Sequence, residues 1–138
     1  MLWETTIQIE TAILASAAVL AGWTMIVFLW LTARRMPAFA AAGIKVGSLP
    51  AGARGVDTEA QFSSKANWIS HNYTHLMEQP TVFYAVVIVL ALMGDNSALS
   101  VNLAWGSAGV RVLHSMWQAN VNTISVRFAL FALSSLCL

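Results

Sequence analysis

The chain has 138 residues, of which 58% are hydrophobic and 9% charged, against about a quarter charged in a soluble globular domain. That composition excludes an ordinary soluble domain and indicates an integral membrane protein of one domain. A formal charge of +1 without a basic stripe argues against nucleic acid as a partner. The single cysteine, Cys137, excludes an internal disulfide and a metal site of cysteine type.

Glu4 and Glu10 precede the first apolar run and no basic residue does, so the positively charged start of a signal peptide is missing. Thr11 to Thr32 supplies the roughly 20 residues that cross a hydrocarbon core about 30 Å thick. The first transmembrane helix is therefore expected over about residues 11–33. Trp3, Trp23 and Trp30 suit the interfaces, and Arg34-Arg35 marks the end of the span. Ala15, Ala18 and Gly22 form a small-residue stripe that a second helix could approach closely.

From about 34 to 66 the pattern breaks at Pro37, Gly43, Gly47, Pro50, Gly52 and Gly55, which predicts a loop. Lys45, Arg54 and Lys65 join the arginine pair there, so the positive-inside rule makes this loop cytoplasmic and both termini external. Its glycines follow no phosphate-binding spacing.

Ser63 or Ser64 is the expected N-cap of a long second helix, with its span over about residues 68–93 and a kink at Pro80. Gly94-Asp95-Asn96-Ser97 closes it without a basic residue, as an external turn should. The third span, about 99–118, ends with Arg111, His114, Ser115 and Gln118 at i, i+3, i+4 and i+7, a single polar stripe on a helix. Asn120 and Asn122 mark a short turn, and the fourth span, about 123–138, is short for a crossing and carries Arg127 near its start.

The predicted fold is all-α, an integral membrane four-helix bundle whose ionisable residues gather toward the cytoplasmic side. An unpaired charge at the centre of a span costs roughly 2.5–3.5 kcal/mol on insertion scales, so Glu78, Arg111 and Arg127 are expected to touch and to form one site. That site is either a ligand site or an ion network that sets helix packing. His71, His75, Glu78 and His114 have spacing that could hold a metal, but no further ligand pair supports it, and a hydrogen-bonding role for His75 is preferred. Ser115 beside His114 lacks a nearby carboxylate for a triad.

The segment Asn72-x-x-His75-Leu76-x-Glu78-x-Pro80-x-x-Phe83, followed by Arg111-x-x-His114 and then Arg127, resembles a bacterial-type member of the MAPEG family, membrane-associated proteins in eicosanoid and glutathione metabolism. The resemblance covers most of the chain from Asn72 onward. It implies a homotrimer in a bacterial inner membrane, with glutathione as co-substrate between neighbouring subunits near the cytoplasmic side. The implied activity is a glutathione-dependent transferase or peroxidase acting on a lipophilic electrophile. The alternative is a non-catalytic scaffold that binds membrane lipid or a partner.

By that resemblance Arg127 matches the catalytic arginine that assists the thiol, and Glu78 and Arg111 match residues that hold the peptide. Asn72, His75 and His114 complete the binding set, with Arg34 or Arg35 closing it from the first helix; no metal is expected. The chain departs from glutathione-using members at His71 (arginine), His75 (asparagine), Gln118 (tyrosine), and at Phe128 and Phe131 (polar neighbours of the catalytic arginine). Neutral imidazoles hold carboxylates less firmly than arginine forks do.

Overall fold

The computed structural model describes residues 11–95 and 97–138. Trp3, Glu4, Glu10 and Asn96 lie outside the described residues. Among the described residues five α-helices follow in order: α1 (Thr11–Ala41), α2 (Ser64–Glu78), α3 (Pro80–Leu92), α4 (Ala98–Asn120) and α5 (Ile124–Leu136). Short 3₁₀ turns at Val46–Ser48 and Gly55–Gln61 occupy the connection between α1 and α2.

α1 continues past the expected end at Arg34-Arg35 and runs through Pro37 to Ala41. At about 1.5 Å per residue its 31 residues span about 46 Å, more than the hydrocarbon core, so the helix extends beyond the bilayer thickness before it ends. Packing holds this extra length despite the hydrogen bond lost at Pro37. The Arg35 guanidinium donates to the carbonyl of Gly55 and, at 3.2 Å, to Thr58 Oγ1. It also lies 5.8 Å from the Phe39 ring centroid and 5.2 Å from that of Phe62. The helix then stops at Gly43, whose φ of 69° suits a residue without a Cβ.

Ser63 caps α2 by accepting from the Ala66 amide. Where a kink is expected, the helix is interrupted at Gln79, which ends α2 and starts α3 while keeping helical dihedrals, φ −70° and ψ −43°. Pro80 removes one donor, but the Gln79 amide still reaches the His75 carbonyl at 3.2 Å, and the Thr81 hydroxyl donates to the Glu78 carbonyl at 2.8 Å. The rod Ser64–Leu92 therefore stays continuous over 29 residues.

α1 and this rod are long and apolar enough to cross a membrane. α4 has the length, at 23 residues, but carries the polar stripe; α5 is apolar but has only 13 residues, about 20 Å. α1 packs on α2, α3 and α4, and α5 rests chiefly on α4.

The core joins Ile13, Leu20 and Val27 of α1 to Leu76, Phe83, Val87 and Ala91 of the α2–α3 rod and to Ala104 and Ala108 of α4. The Ala15–Ala18–Gly22 stripe lies on the exposed side of α1, because the chain packs the helix through Ile13, Ser16, Leu20, Thr24 and Val27 instead. Between α4 and α5, Ser107 Oγ donates to the Ser134 carbonyl at 3.0 Å and Ser134 Oγ returns a bond to the Ser107 carbonyl at 3.2 Å. Such reciprocal bonds join helices where water is scarce.

Candidate functional site

The polar stripe of α4 is buried along its whole length: Arg111, His114, Ser115 and Gln118 all turn inward. Ser115 Oγ accepts two hydrogen bonds at 2.9 Å, one from Asn72 Nδ2 on α2 and one from Trp23 Nε1 on α1. One hydroxyl thus links three helices. Trp23, expected at an interface, serves as an internal donor here.

One turn beyond Asn72, the His75 ring packs on that of His114, with centroids 5.1 Å apart and planes inclined at 30°. Phe131 of α5 lies 6.0 Å from the His75 centroid, and the Arg111 guanidinium stands 5.4 Å from the Phe131 centroid. Arg127 is anchored by its own turn: its Nη1 donates to Asn122 Oδ1 at 2.8 Å. Asn122 has a φ of 60°, a conformation that asparagine tolerates better than most side chains.

These residues surround a half-open cavity of about 290 Å³, lined by His75, Gln79, His114, Ile124, Arg127, Phe128 and Phe131. The lining contains a guanidinium and two imidazoles but no carboxylate, which favours an anionic ligand group. Several buried polar atoms nearby have no partner among the described residues: Arg127 Nε, Arg111 Nη1, Asn72 Oδ1 and Gln118 Oε1. Such atoms are costly in a packed bundle unless a ligand or water meets them.

Glu78 corrects the expectation that it touches the two arginines. Its side chain is exposed, and the ion pairs among the described residues are Arg54–Asp57 and Glu59–His71. The cause is helical phase: Leu76 faces the core, and two residues further on the helix has turned by about 200°. Arg111 stands apart as well, lining a second cavity rather than the one at Arg127. Arg35 is occupied by the loop, whereas Arg34 is exposed and lines a separate cavity with Trp30 and Lys65. His71 binds Glu59 at 2.8 Å and is exposed, away from the His75–His114 pair. Among the described residues no group of three His, Cys, Asp or Glu gathers as a metal site.

The family model described as MAPEG family matches residues 13–138. The chain belongs to the MAPEG family. No curated protein and no solved structure matches it. MAPEG proteins are helical bundles in membranes with glutathione-related or lipid-metabolic roles, and they act as oligomers on lipophilic substrates. This MAPEG chain is accordingly a membrane protein, and its exposed apolar side chains, such as Met25, Leu29, Val82 and Ile124, suit contact with lipid or another subunit.

The sequence alone gives Gln79 and Asn122 no site role. Gln79 follows a polar stretch and precedes a proline, which is the local signal for a helix break that exposes a side chain. For Asn122 the signal was its position in a two-helix turn five residues before Arg127; the distance between them needed the fold.

Proposed function

We propose that this MAPEG chain binds glutathione in the cavity between His75, His114 and Arg127 and transfers it to, or uses it to reduce, a lipophilic electrophile arriving from the bilayer. The observation that carries this reading is Arg127: its Nη1 is held by Asn122 while its buried Nε remains unpartnered at a cavity without a carboxylate. A free thiol with a pKa near 8.5 is only a few per cent ionised at neutrality. A guanidinium that stays charged in apolar surroundings favours the thiolate.

In transfer, the thiol proton leaves to solvent as the thiolate forms. The sulfur lone pair then makes a bond to the electrophilic carbon, and the departing atom takes the bonding pair. Arg127 takes no part in the proton transfer; its role is to stabilise the sulfur anion. His75, His114 and Gln79 contribute hydrogen-bonding groups to the same wall.

We propose further that the unit is a homotrimer in which a neighbouring copy completes the site. Ile124 and Phe128, which line the cavity, are 80% and 69% exposed, and Glu78 sits one turn from His75 on the outer surface with no ion-pair partner among the described residues. In a second copy Glu78 finds either a cation or the ammonium of the peptide. Mass measurement of the protein in detergent tests the assembly, with a stable monomer as the contrary result.

A lipid-binding scaffold is the second reading, supported by the aromatic wall of Phe128 and Phe131. Titration with glutathione, followed by the ultraviolet absorbance of the thiolate, separates the two. Saturable binding with a thiolate signal is expected; absence of both sinks the transferase reading and leaves the scaffold.

A further inference from the structure

Arg127 lies in the first turn of α5, and the connection that precedes it is tied to a single residue of α4. The Trp117 carbonyl accepts from the amides of Val121 and Asn122, both at 2.9 Å, and the Trp117 indole donates to Thr123 Oγ1, also at 2.9 Å. Val121, Asn122 and Thr123 are thus all bonded to Trp117. The turn in turn carries Arg127, whose amide donates to the Thr123 carbonyl at 3.1 Å and whose Nη1 donates to Asn122 Oδ1 at 2.8 Å.

An arginine near the end of a membrane helix tends to extend its charged head toward water, its long stem allowing many directions. The cavity at Arg127 is half-open, and Ile124 and Phe128 beside it are exposed, so the packing there leaves the side chain room to turn. Asn122 Oδ1 opposes that freedom. A guanidinium is a planar fork, so holding Nη1 fixes the plane and leaves the edge formed by Nε and Nη2, of which Nε is buried without a partner among the described residues.

We propose that Asn122 is a positioning residue for the thiol chemistry: its side-chain oxygen holds Nη1 and so sets the orientation in which the Arg127 guanidinium meets an anionic sulfur in the cavity. This role rests on the glutathione reading, whereas the hold on the guanidinium is a property of the turn alone. Asparagine suits both demands of the position. It tolerates the φ of 60° that the turn requires, and it offers an acceptor without charge. A carboxylate in its place would also hold Nη1, but its negative charge would disfavour a second anion at the same guanidinium. A neutral amide holds the cation and leaves its charge to the ligand.

The test uses the whole protein in detergent, with arginine isotope-labelled in its side-chain nitrogens. Without glutathione, the Nη nitrogens of Arg127, identified by their absence in Arg127→Lys, should give separate magnetic resonance signals, because the bond to Asn122 slows rotation of the guanidinium. Asn122→Gly keeps the left-handed backbone and removes the acceptor, so the signals should merge; Asn122→Asp should keep them separate. With saturating glutathione, the midpoint of the thiolate absorbance against pH should rise by about one pH unit or more in both variants, by loss of the hold in Asn122→Gly and by added charge in Asn122→Asp. Merged signals in the wild type, or separate signals in Asn122→Gly, overturn the hold. An unchanged midpoint in either variant overturns the role in thiol chemistry, and Asn122→Asp carries that test by itself where Asn122→Gly fails to fold. Separate signals in a wild type without any thiolate absorbance sink the glutathione reading, and the thiol role with it, while the hold stands.

Discussion

The rings of His75 and His114 lie 5.1 Å apart, yet the two residues differ sharply in burial: His114 is 2% exposed on α4 and His75 is only half-buried on α2. His114 therefore serves both the packed bundle and the cavity lining, whereas His75 serves chiefly the lining. His114→Ala should cost about 2–4 kcal/mol of stability because it leaves a void among fixed neighbours. His75→Ala should cost clearly less and act on ligand binding instead. Thermal unfolding of the two variants in the same detergent, beside a binding titration, checks the division; equal destabilisation would contradict it.

Arg127 and Glu78 should separate chemistry from binding. Arg127→Leu is expected to abolish the thiolate absorbance while glutathione still binds within a few-fold of wild type, since the arginine acts on the sulfur. Glu78→Gln should weaken binding itself, because a carboxylate at the open edge pairs with a cation of the peptide or of a neighbouring copy. Loss of binding in Arg127→Leu with an unchanged Glu78→Gln would reverse these roles.

Orientation is predicted from charge: every loop lysine and arginine lies between Arg34 and Lys65, so that connection should be cytoplasmic. A cysteine placed at Asn96, in a chain with Cys137 replaced by serine, should react with an impermeant reagent in intact cells. A cysteine placed at Ala51 should react only after permeabilisation. The opposite pattern reverses the topology.

The adjacent arginines should behave differently. Arg35 is buried, bonded to Gly55 and Thr58 and flanked by Phe39 and Phe62, so Arg35→Ala should free the connection at a cost of about 2–3 kcal/mol. Arg34 is exposed, and Arg34→Ala should change stability by no more than about 0.5 kcal/mol. Limited proteolysis between residues 43 and 61 gives the readout: faster cleavage in the Arg35 variant alone is expected.

Asp95 offers a pH prediction outside the spans. The Ser100 hydroxyl donates to its carboxylate at 2.6 Å and the Ser97 amide at 2.9 Å, which together hold its pKa below the ordinary value of about 3.9. A depressed carboxylate stabilises the fold above its unfolded pKa, and that contribution disappears as pH falls through the folded value. The start of α4 should therefore loosen only below about pH 4. Hydrogen exchange at the amides of Ser100 and Val101 measures it, and Asp95→Asn should show the loosened behaviour at neutral pH.

Local periodicity determined much of this protein in advance. The all-α class, an N-cap at Ser63 or Ser64, a disturbance at Pro80 and the polar stripe Arg111–His114–Ser115–Gln118 are legible in the residue pattern; the structure has the helices, the cap at Ser63, an interruption at Gln79 and the buried stripe. Tertiary structure decided the rest, because the rotation of a helix depends on its neighbours. Leu76 takes the core and turns Glu78 outward, Ile13 and Leu20 take it and leave the Ala15–Ala18–Gly22 stripe outside, and Gly55 and Thr58 carry α1 past its arginines. Glu78, Arg111 and Arg127 share an apolar context in sequence, but helical phase sends the first to the surface and the other two to separate cavities.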